Sequence, residues 1–395
     1  MSVTRRTVLI GGAVLALAGR AQAAITLSAA LDAAAEERDP EKARALLAGF
    51  DPRDLPPVAA LDLVTARAGL ASDIAIRRAG QPGFDVLLER IFGPHRGAAA
   101  VERRLIRAQQ EATRAALLLF DARGIDGATP GARFVRLWHE SDGQFADSDA
   151  GRDAAIVAMN KALDRLRAML PTLIGPVPGY CRDVSATRGS PEEQASGKVG
   201  ARRLPLPGRP GAYVVDLARI ADRPRCSLPS VVAHELLPGH MIQLPIEAAA
   251  RPHTLRLSYA PGFAEGWGIS AERLVARAGA WADDPRAQLG YLHWRLFRIA
   301  RARADIGLHV HGWSIDEARA RLVEWHGEPA YFAPFDSDLA RIAREPAART
   351  AEMLFALAIE DGTRGRRGRG RIAYHQALLV DGRMRSDEIA RRART

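Results

Sequence analysis

Two histidines and two glutamates lie close together in the middle of this sequence. The apolar run 231–237 contains His234 and Glu235, and His240 and Glu265 follow it. A helix carrying His-Glu presents an imidazole that can bind a metal beside a carboxylate that can act as a general base. These residue types, in this order, indicate a zinc hydrolase site.

The spacing of the two histidines differs from that of an ordinary His-Glu-x-x-His helix. The position one turn after His234 is Pro238, and His240 comes two residues later. Six residues rotate an ideal helix by about 600°, which turns the second side chain away from the first. Pro238 also lacks a backbone N–H and crowds the preceding turn. We therefore expect the helix to break or bulge at Pro238-Gly239, which would return His240 to the place of a ligand one turn on.

A third ligand is required to distinguish a zinc site from a chance pair of histidines. Glu265 lies on a separate predicted helix, and two crossing helices can place a carboxylate opposite two imidazoles. The predicted zinc ligands are therefore His234, His240 and Glu265, with the fourth position open. Glu235 would polarise a water activated by the metal and carry its proton to the leaving group. Glu272, two turns after Glu265, is either a competing ligand or the partner of a ligating imidazole.

Charge that develops on a tetrahedral intermediate requires a further hydrogen-bond donor. Four side chains are candidates, and we predict catalytic roles for the first two of them: His309, Tyr259, Tyr374 and His375. The alternative for each is a side chain that packs in the interior and whose polar atom is hydrogen-bonded within the protein. Asp305 is a second candidate partner for the ligating imidazoles.

Helical periodicity dominates the rest of the chain. Apolar residues recur at three- and four-residue steps before about residue 170 and again after residue 227. Between them, proline and glycine are frequent, and the best strand candidate is Gly211–Leu217. Either this strand has an open edge that pairs with an extended peptide, or it belongs to an ordinary structural hairpin. We predict a mainly α fold with a small β-element next to the His-Glu helix.

The N-terminal residues are typical of a targeting segment. Arg5 and Arg6 precede an apolar stretch over residues 8–19, and Ala21-Gln22-Ala23 forms a small-residue cleavage site. We predict a twin-arginine signal peptide over residues 1–23 and a periplasmic or secreted protein, the alternative being an uncleaved anchor. No integral membrane segment is expected after signal removal. An N-terminal helical region, 24–170, and a metallopeptidase-like catalytic region, 171–395, are expected to form one continuous domain.

The composition is that of a soluble globular protein with a basic surface. The 395 residues are 47% hydrophobic and 26% charged, with a formal net charge of +10 that is almost entirely due to arginine. Such charge favours contact with nucleic acid, anionic lipid or anionic cell-envelope polymers, although GC-rich coding gives the same abundance of arginine and alanine. The predicted export argues against nucleic acid as a partner. The loop 364–371, rich in Arg and Gly, is either a solvated surface loop or a contact for phosphate. Cys181 and Cys226 are expected to be two buried free thiols, the alternative being a disulfide between them.

Several of these motifs resemble those of one bacterial family. His234 to His240, followed by Ala264-Glu265-Gly266-Trp267, is similar to the His-Glu-x-x-Pro-Gly-His-His and Glu-Gly-Trp signature of the domain-of-unknown-function 885 family. The blocks 305–314 and 374–382 resemble later segments of the same family. The resemblance implies a large helical, peptidase-like fold with a channel, related to zinc metallopeptidases, and it implies the same three ligands, His234, His240 and Glu265.

The sequence departs from that family in three places. Met241 stands where the second of two adjacent histidines is expected, and the segment 346–355 has Glu352 and Phe355 in place of a tyrosine and a glycine. The Arg-Gly loop is the third departure. Two functions therefore remain open. The first is an exported zinc-dependent hydrolase, a peptidase acting on peptides or small amides. The second is a catalytically degenerate periplasmic binding or scaffold protein that retains the fold.

Overall fold

Helices form most of the protein, as the periodicity of the sequence predicts. The computed structural model describes residues 26–196, 200–328 and 335–394, so the predicted signal peptide at 1–23 lies outside the described residues. The first group of helices precedes the sheet: α1 (Leu27–Glu36), α2 (Pro40–Leu46), α3 (Pro57–Ala79), α4 (Phe84–Ile91), α5 (Ala98–Ala122), α6 (Pro130–Trp138) and α7 (Asp149–Leu173).

A small three-stranded sheet follows, in the segment where the sequence loses its helical periodicity. Its strands are β1 (Val184–Arg188), β2 (Ala201–Arg203) and β3 (Gly211–Val215), with the short helix α8 (Pro191–Ala195) between the first two. The strand order is β1-β3-β2, with β1 parallel and β2 antiparallel to β3. The predicted strand is therefore central. The hypothesis that its own edge is open to a peptide is wrong, because both of its edges are already paired.

The second group of helices contains the His-Glu motif. Its members are α9 (Leu228–Glu235), α10 (His240–Ala250), α11 (Thr254–Tyr259), α12 (Phe263–Arg277), α13 (Pro285–Val310), α14 (Ile315–His326), α15 (Phe335–Arg344), α16 (Ala348–Gly362), α17 (Gly368–Leu379) and α18 (Ser386–Arg392). The prediction of a mainly α fold with a small β-element before the His-Glu helix is confirmed.

Apolar packing joins the two groups of helices. The largest cluster of buried apolar side chains extends from Leu61 in α3 to Ile389 in α18 and includes members from the sheet. A smaller cluster covers the first helices and includes Tyr259. Cys181 and Cys226 are free thiols, as expected.

No helix in the described part of the chain combines the length and the apolar character that crossing a membrane requires.

Helix α13 carries a row of buried arginines instead of a purely apolar face. Arg295, Arg298 and Arg301 recur at three-residue steps, which places them along one side of the helix. Arg295 donates two hydrogen bonds to the buried Glu360 of α16, at 2.8 and 2.9 Å. Arg301 donates to Asp338 at 2.8 Å. The arginine row therefore compensates carboxylates that α15 and α16 bring into the interior.

Asp305, on the same helix, caps α16. Its two carboxylate oxygens accept the backbone N–H groups of Ala347 and Thr350, both at 3.0 Å, and the side chain is fully buried. Ala347 has φ of 69° and provides no capping side chain of its own. Asp305 is therefore not the partner of the imidazoles predicted to bind a metal. The carboxylate oxygens of Asp305 instead satisfy backbone N–H groups at the start of α16, which packs against α12 and α13.

We predict that Asp305→Ala destabilises the protein by about 2–3 kcal/mol, because two buried backbone N–H groups lose their acceptor. Urea denaturation followed by circular dichroism measures the free energy of unfolding. The matched control is Asp126→Ala, at an exposed aspartate, which should change that free energy by no more than about 0.5 kcal/mol. Equal effects of the two substitutions would contradict the capping role.

Candidate metal centre

The helix that contains His234 ends one residue after it, and a new helix begins at His240. Helix α9 ends at Glu235 and α10 starts at His240, so residues 236–239 form the expected break. The Leu237–Pro238 peptide bond is cis. A β-carbon on Gly239 would lie 1.8 Å from the carbonyl oxygen of His234, so only glycine fits there. The break brings the second histidine back beside the first.

His234, His240 and Glu265 form one cluster. Each offers a ligand atom, and these atoms all lie within 4.8 Å of one another. The Nε2 atoms of both imidazoles are 3.4 Å from the Glu265 carboxylate, each facing a different oxygen. The two rings are nearly perpendicular, at 84°, with centroids 4.8 Å apart. The geometry is that of three donors converging on one point from three elements of the fold.

The cluster is buried on the histidine side and open on the glutamate side. His240 is 1% exposed, whereas the Glu265 side chain is 32% exposed. Neither ring nitrogen of His240 has a hydrogen-bond partner among the described residues. Burying two polar nitrogens without partners is costly unless something else coordinates them. This donor set therefore fits a metal ion.

The charges around the cluster favour an ionised glutamate between two imidazoles. Burial opposes ionisation of Glu265, but the facing His234 and His240 outweigh it and hold its pKa well below the ordinary value. Burial lowers the pKa of His240, which keeps its imidazole neutral, the form that binds metals. Burial and Arg298 act against a proton on His234, but Glu265 and Glu272 raise its pKa to about 9.

Glu272 holds the imidazole of His234 and is not a member of the three-residue cluster. Its Oε1 accepts a hydrogen bond from the Nδ1 of His234 at 2.7 Å, and its Oε2 accepts from the Ser230 hydroxyl at 2.6 Å. Because Glu272 holds Nδ1, the nitrogen that faces Glu265 is Nε2. This carboxylate-imidazole arrangement is typical of metal-binding histidines, whose second nitrogen is usually fixed by an acceptor.

Two arginines at the site belong to no recognised sequence motif and were not predicted from the sequence. Arg202, on the edge strand β2, donates to Glu235 at 2.5 Å and lies 4.0 Å from Glu265. Arg298, in the arginine row of α13, lies 3.7 Å from Glu265 and 3.9 Å from Glu272. The recurrence of arginine every three residues on α13 was the sequence pattern that could have identified Arg298. Arg202 is positioned by the pairing of β2 with β3, and a strand of only three residues is too short to be predicted from the sequence.

The structure places the predicted donors His309 and Tyr259 elsewhere. The Nε2 of His309 is 3.1 Å from the carbonyl oxygen of Ile342, and its ring stacks on Phe84. His309 also lies eleven residues beyond Arg298 on α13, roughly 16 Å along the helix. The Tyr259 hydroxyl donates to Asp73 at 2.6 Å, and its ring belongs to the small N-terminal core. In the described part of the chain, neither polar tip is brought to the cluster, so their catalytic roles remain predictions without a contact to support them.

His375 supports the bend of the motif, whereas Tyr374 lies against Gly362 and the guanidinium group of Arg366. The Nδ1 of His375 is bonded to the carbonyl oxygen of Leu173 at 3.1 Å, and burial lowers its pKa to about 4. Its ring meets that of Trp267 edge-on at 6.0 Å. The indole N–H of Trp267 donates to the carbonyl oxygen of Pro238 at 3.0 Å. The Glu-Gly-Trp segment and the C-terminal block therefore hold the bend between the two histidines.

The departures at positions 241 and 352 are explained by the packing. The side chain of Met241 is fully buried in the main apolar core, and the nearby donor in the cluster is His240. A second histidine at 241 is therefore not needed for the three-donor set. Glu352 is buried, and its carboxylate accepts a hydrogen bond from Arg349 at 2.6 Å. Burial is the main reason why the pKa of Glu352 is raised.

One family model matches most of the chain. It is described as "Bacterial protein of unknown function (DUF885)" and matches residues 95–347. The match includes the whole cluster, the edge strand and helix α13. No curated protein matches the chain.

Two solved structures have a similar fold. One is described as "the putative lipoprotein from Colwellia psychrerythraea"; it is 20% identical, with a TM-score of 0.69 over 94% of this chain and 69% of that chain. The other is described as "a putative lipoprotein of unknown function from Shewanella oneidensis"; it is 15% identical, with a TM-score of 0.61 over 93% of this chain and 73% of that chain. At these identities the likeness concerns the fold alone.

Gly268 tests how tightly the cluster is packed. A β-carbon there would lie 2.6 Å from Cε1 of His234, so we predict that Gly268→Ala displaces the imidazole and destabilises the protein by about 1–3 kcal/mol. The matched control is Gly370→Ala in α17, where a β-carbon meets nothing within 4 Å. That change should stabilise the protein by about 0.5–1 kcal/mol, since alanine is the better helix former. Urea denaturation of both variants gives the sign of the change in the free energy of unfolding. If both substitutions stabilised the protein, Gly268 would not be tightly packed against His234.

Proposed function

The chain belongs to the bacterial protein family of unknown function DUF885, and from that premise we propose that it is a zinc-dependent hydrolase that cleaves peptide or peptide-like amide bonds. The observation that carries the proposal is the cluster of His234, His240 and Glu265, with Glu235 held beside it by Arg202. Two imidazoles and a carboxylate, with a fourth position open, form the ligand set typical of catalytic zinc.

The residues of the cluster have distinct roles in this proposal. His234 and His240 would bind zinc through the nitrogens that face Glu265, and the Glu265 carboxylate would be the third ligand. When bound, zinc would supply a Lewis acid that polarises a carbonyl and makes a water molecule more acidic. Glu272 would keep Nδ1 of His234 protonated and its ring oriented.

Glu235 is the proposed general base. Its carboxylate is largely buried and directed toward Glu265 by their shared neighbour, Arg202. A carboxylate there can accept a proton from the attacking water and deliver it to the leaving nitrogen. The guanidinium of Arg202 is the nearest cation to this carboxylate. It is therefore a better placed donor for a developing oxyanion than His309 or Tyr259.

We propose that this hydrolase is an exported enzyme. Arg5-Arg6 and the apolar stretch after them are typical of a twin-arginine signal, and both solved neighbours are described as putative lipoproteins. In this proposal a substrate would reach the cluster from the side of Glu265, whose side chain is 32% exposed. Short peptides fit a site of this kind better than folded proteins do. The alternative is a binding or scaffold protein that keeps this fold without turnover, and the metal and activity measurements below separate the two.

We predict that the protein binds one zinc ion per chain and that His240→Ala reduces the bound zinc by about tenfold or more, because a three-ligand site loses one ligand. Elemental analysis after equilibration with zinc and desalting measures the stoichiometry. The matched control is His139→Ala, at an exposed histidine, which should retain the full complement. Glu265→Gln should behave like His240→Ala. Zinc content that is unchanged in both ligand variants would refute the metal site.

Glu235→Gln should retain zinc but lose hydrolysis by about 10²–10⁴-fold, because the amide cannot accept a proton. Release of new amino termini from a mixed peptide library measures the activity of the zinc-loaded protein. Glu324→Gln, at an exposed glutamate, is the matched control and should leave the rate unchanged. A wild-type protein that binds zinc but cleaves no peptide in the library would favour the scaffold. Equal rates for the Glu235→Gln variant and wild type would remove Glu235 from the mechanism.

A further inference from the structure

A large cleft lies apart from the cluster, on the other side of α16. It has a volume of about 1080 Å³ and is formed by the start of α5, the C-terminal end of α16 with the loop after it, and α18. Its lining includes no member of the His-His-Glu cluster. Six arginines line it: Arg96, Arg103, Arg104, Arg107, Arg364 and Arg366.

The positive charge in this cleft exceeds the negative charge around it. The carboxylates in the lining are Asp361 and Asp387, so six guanidinium groups less two carboxylates leave a formal charge of +4. Asp361 is already engaged, because it binds Arg104 at 2.5 Å and Arg364 at 2.9 Å. The excess charge is therefore not neutralised from within the lining.

Three of the arginines have no partner in the part of the chain that the structure describes. Arg96, Arg103 and Arg107 are exposed and make no ion pair or hydrogen bond with residues 26–196, 200–328 or 335–394. Arg366, in contrast, donates to the carbonyl oxygen of Ala393 at 2.8 Å. The free guanidinium groups are thus concentrated on the α5 side of the cleft.

The arginines also repel one another. Burial is the largest influence that lowers the pKa of Arg104, and the neighbouring Arg364 and Arg107 lower it further while Asp361 opposes them. Like charges crowded in a partly enclosed space are stabilised when an anion enters it. A cleft with apolar side chains beneath, such as Phe92, Leu354 and Ile389, differs from an ordinary solvated face because it excludes part of the water.

We propose that this cleft binds a ligand that carries linked phosphate groups. Arg103 and Arg107 are four residues apart on α5, so they project from successive turns on one face, about 6 Å apart. A guanidinium group binds a phosphate through two parallel hydrogen bonds, and two such groups one turn apart match two successive phosphates. A single carboxylate would leave most of the positive charge uncompensated. The ligand is either a soluble diphosphate or a lipid whose headgroup is a diphosphate, and the two share this chemistry.

Titration calorimetry of the full chain with inorganic pyrophosphate and with orthophosphate tests the proposal. We expect pyrophosphate to bind about tenfold more tightly than orthophosphate, and the double substitution R103Q/R107Q to weaken its binding by about tenfold or more. The matched control is R114Q, at an exposed arginine on the same helix that does not line the cleft, and it should bind within about twofold of wild type. Thermal unfolding of the variants verifies that they remain folded.

Vesicles distinguish the two sources of phosphate. Flotation with phosphatidylcholine vesicles that contain a polyprenyl diphosphate, against phosphatidylcholine vesicles alone, reports binding to a diphosphate headgroup. Vesicle binding that R103Q/R107Q abolishes, without pyrophosphate binding, assigns the cleft to a lipid headgroup. The reverse result assigns it to a soluble diphosphate. Binding that R103Q/R107Q and R114Q leave equally unchanged, or no binding in either assay, overturns the proposal. Zinc content and peptide hydrolysis are independent of these outcomes.

Discussion

Charge compensation in the interior is the constraint on which the rest of the structure depends. An ionised carboxylate is stable in a buried setting only when opposite charges or hydrogen-bond donors surround it. Glu265 has the two imidazoles and Arg298, and Glu272 has the Nδ1 of His234 and the Ser230 hydroxyl. Removing one partner from such a set leaves another group unpaired. The cluster is therefore stable only as a whole.

The long helix α13 supplies much of this compensation. It contacts α5, α9, α12, α14 and α16, so most of its surface is covered by other helices. A helix buried on all sides would ordinarily be apolar throughout. Here its arginine row passes from Glu360, beside the His-His-Glu cluster, to Asp338. The same helix that forms the core thus sets the electrostatic environment of the site, which links stability directly to function.

Much of the fold and part of the site could be predicted from the sequence because they depend on local patterns. Helix boundaries follow apolar periodicity and capping residues, as at α13, whose N-cap Asp284 accepts the N–H of Ala287 before the helix runs to Val310. His234 and His240 could be recognised as a pair because the break at Pro238-Gly239 lies between them, and Glu265 because it follows on a separate predicted helix. The positions of Arg202 and Asp305 depend on long-range packing, which no local pattern encodes. The predicted role of Tyr259 has no supporting contact for the same reason, since its hydroxyl is bound to Asp73, far away in the sequence.

The identity of the second donor is decided by where the helix resumes. Successive residues on a helix are rotated by about 100°, so once α10 begins at His240, the next side chain must point to a different side. That side faces the apolar core, where the Met241 side chain is fully buried. The bend fixes this starting point, because the Pro238 carbonyl is held by Trp267 and Gly239 packs against the backbone of His234. A histidine at 241 would therefore bury a polar ring in an apolar core, and methionine is the residue that suits this geometry.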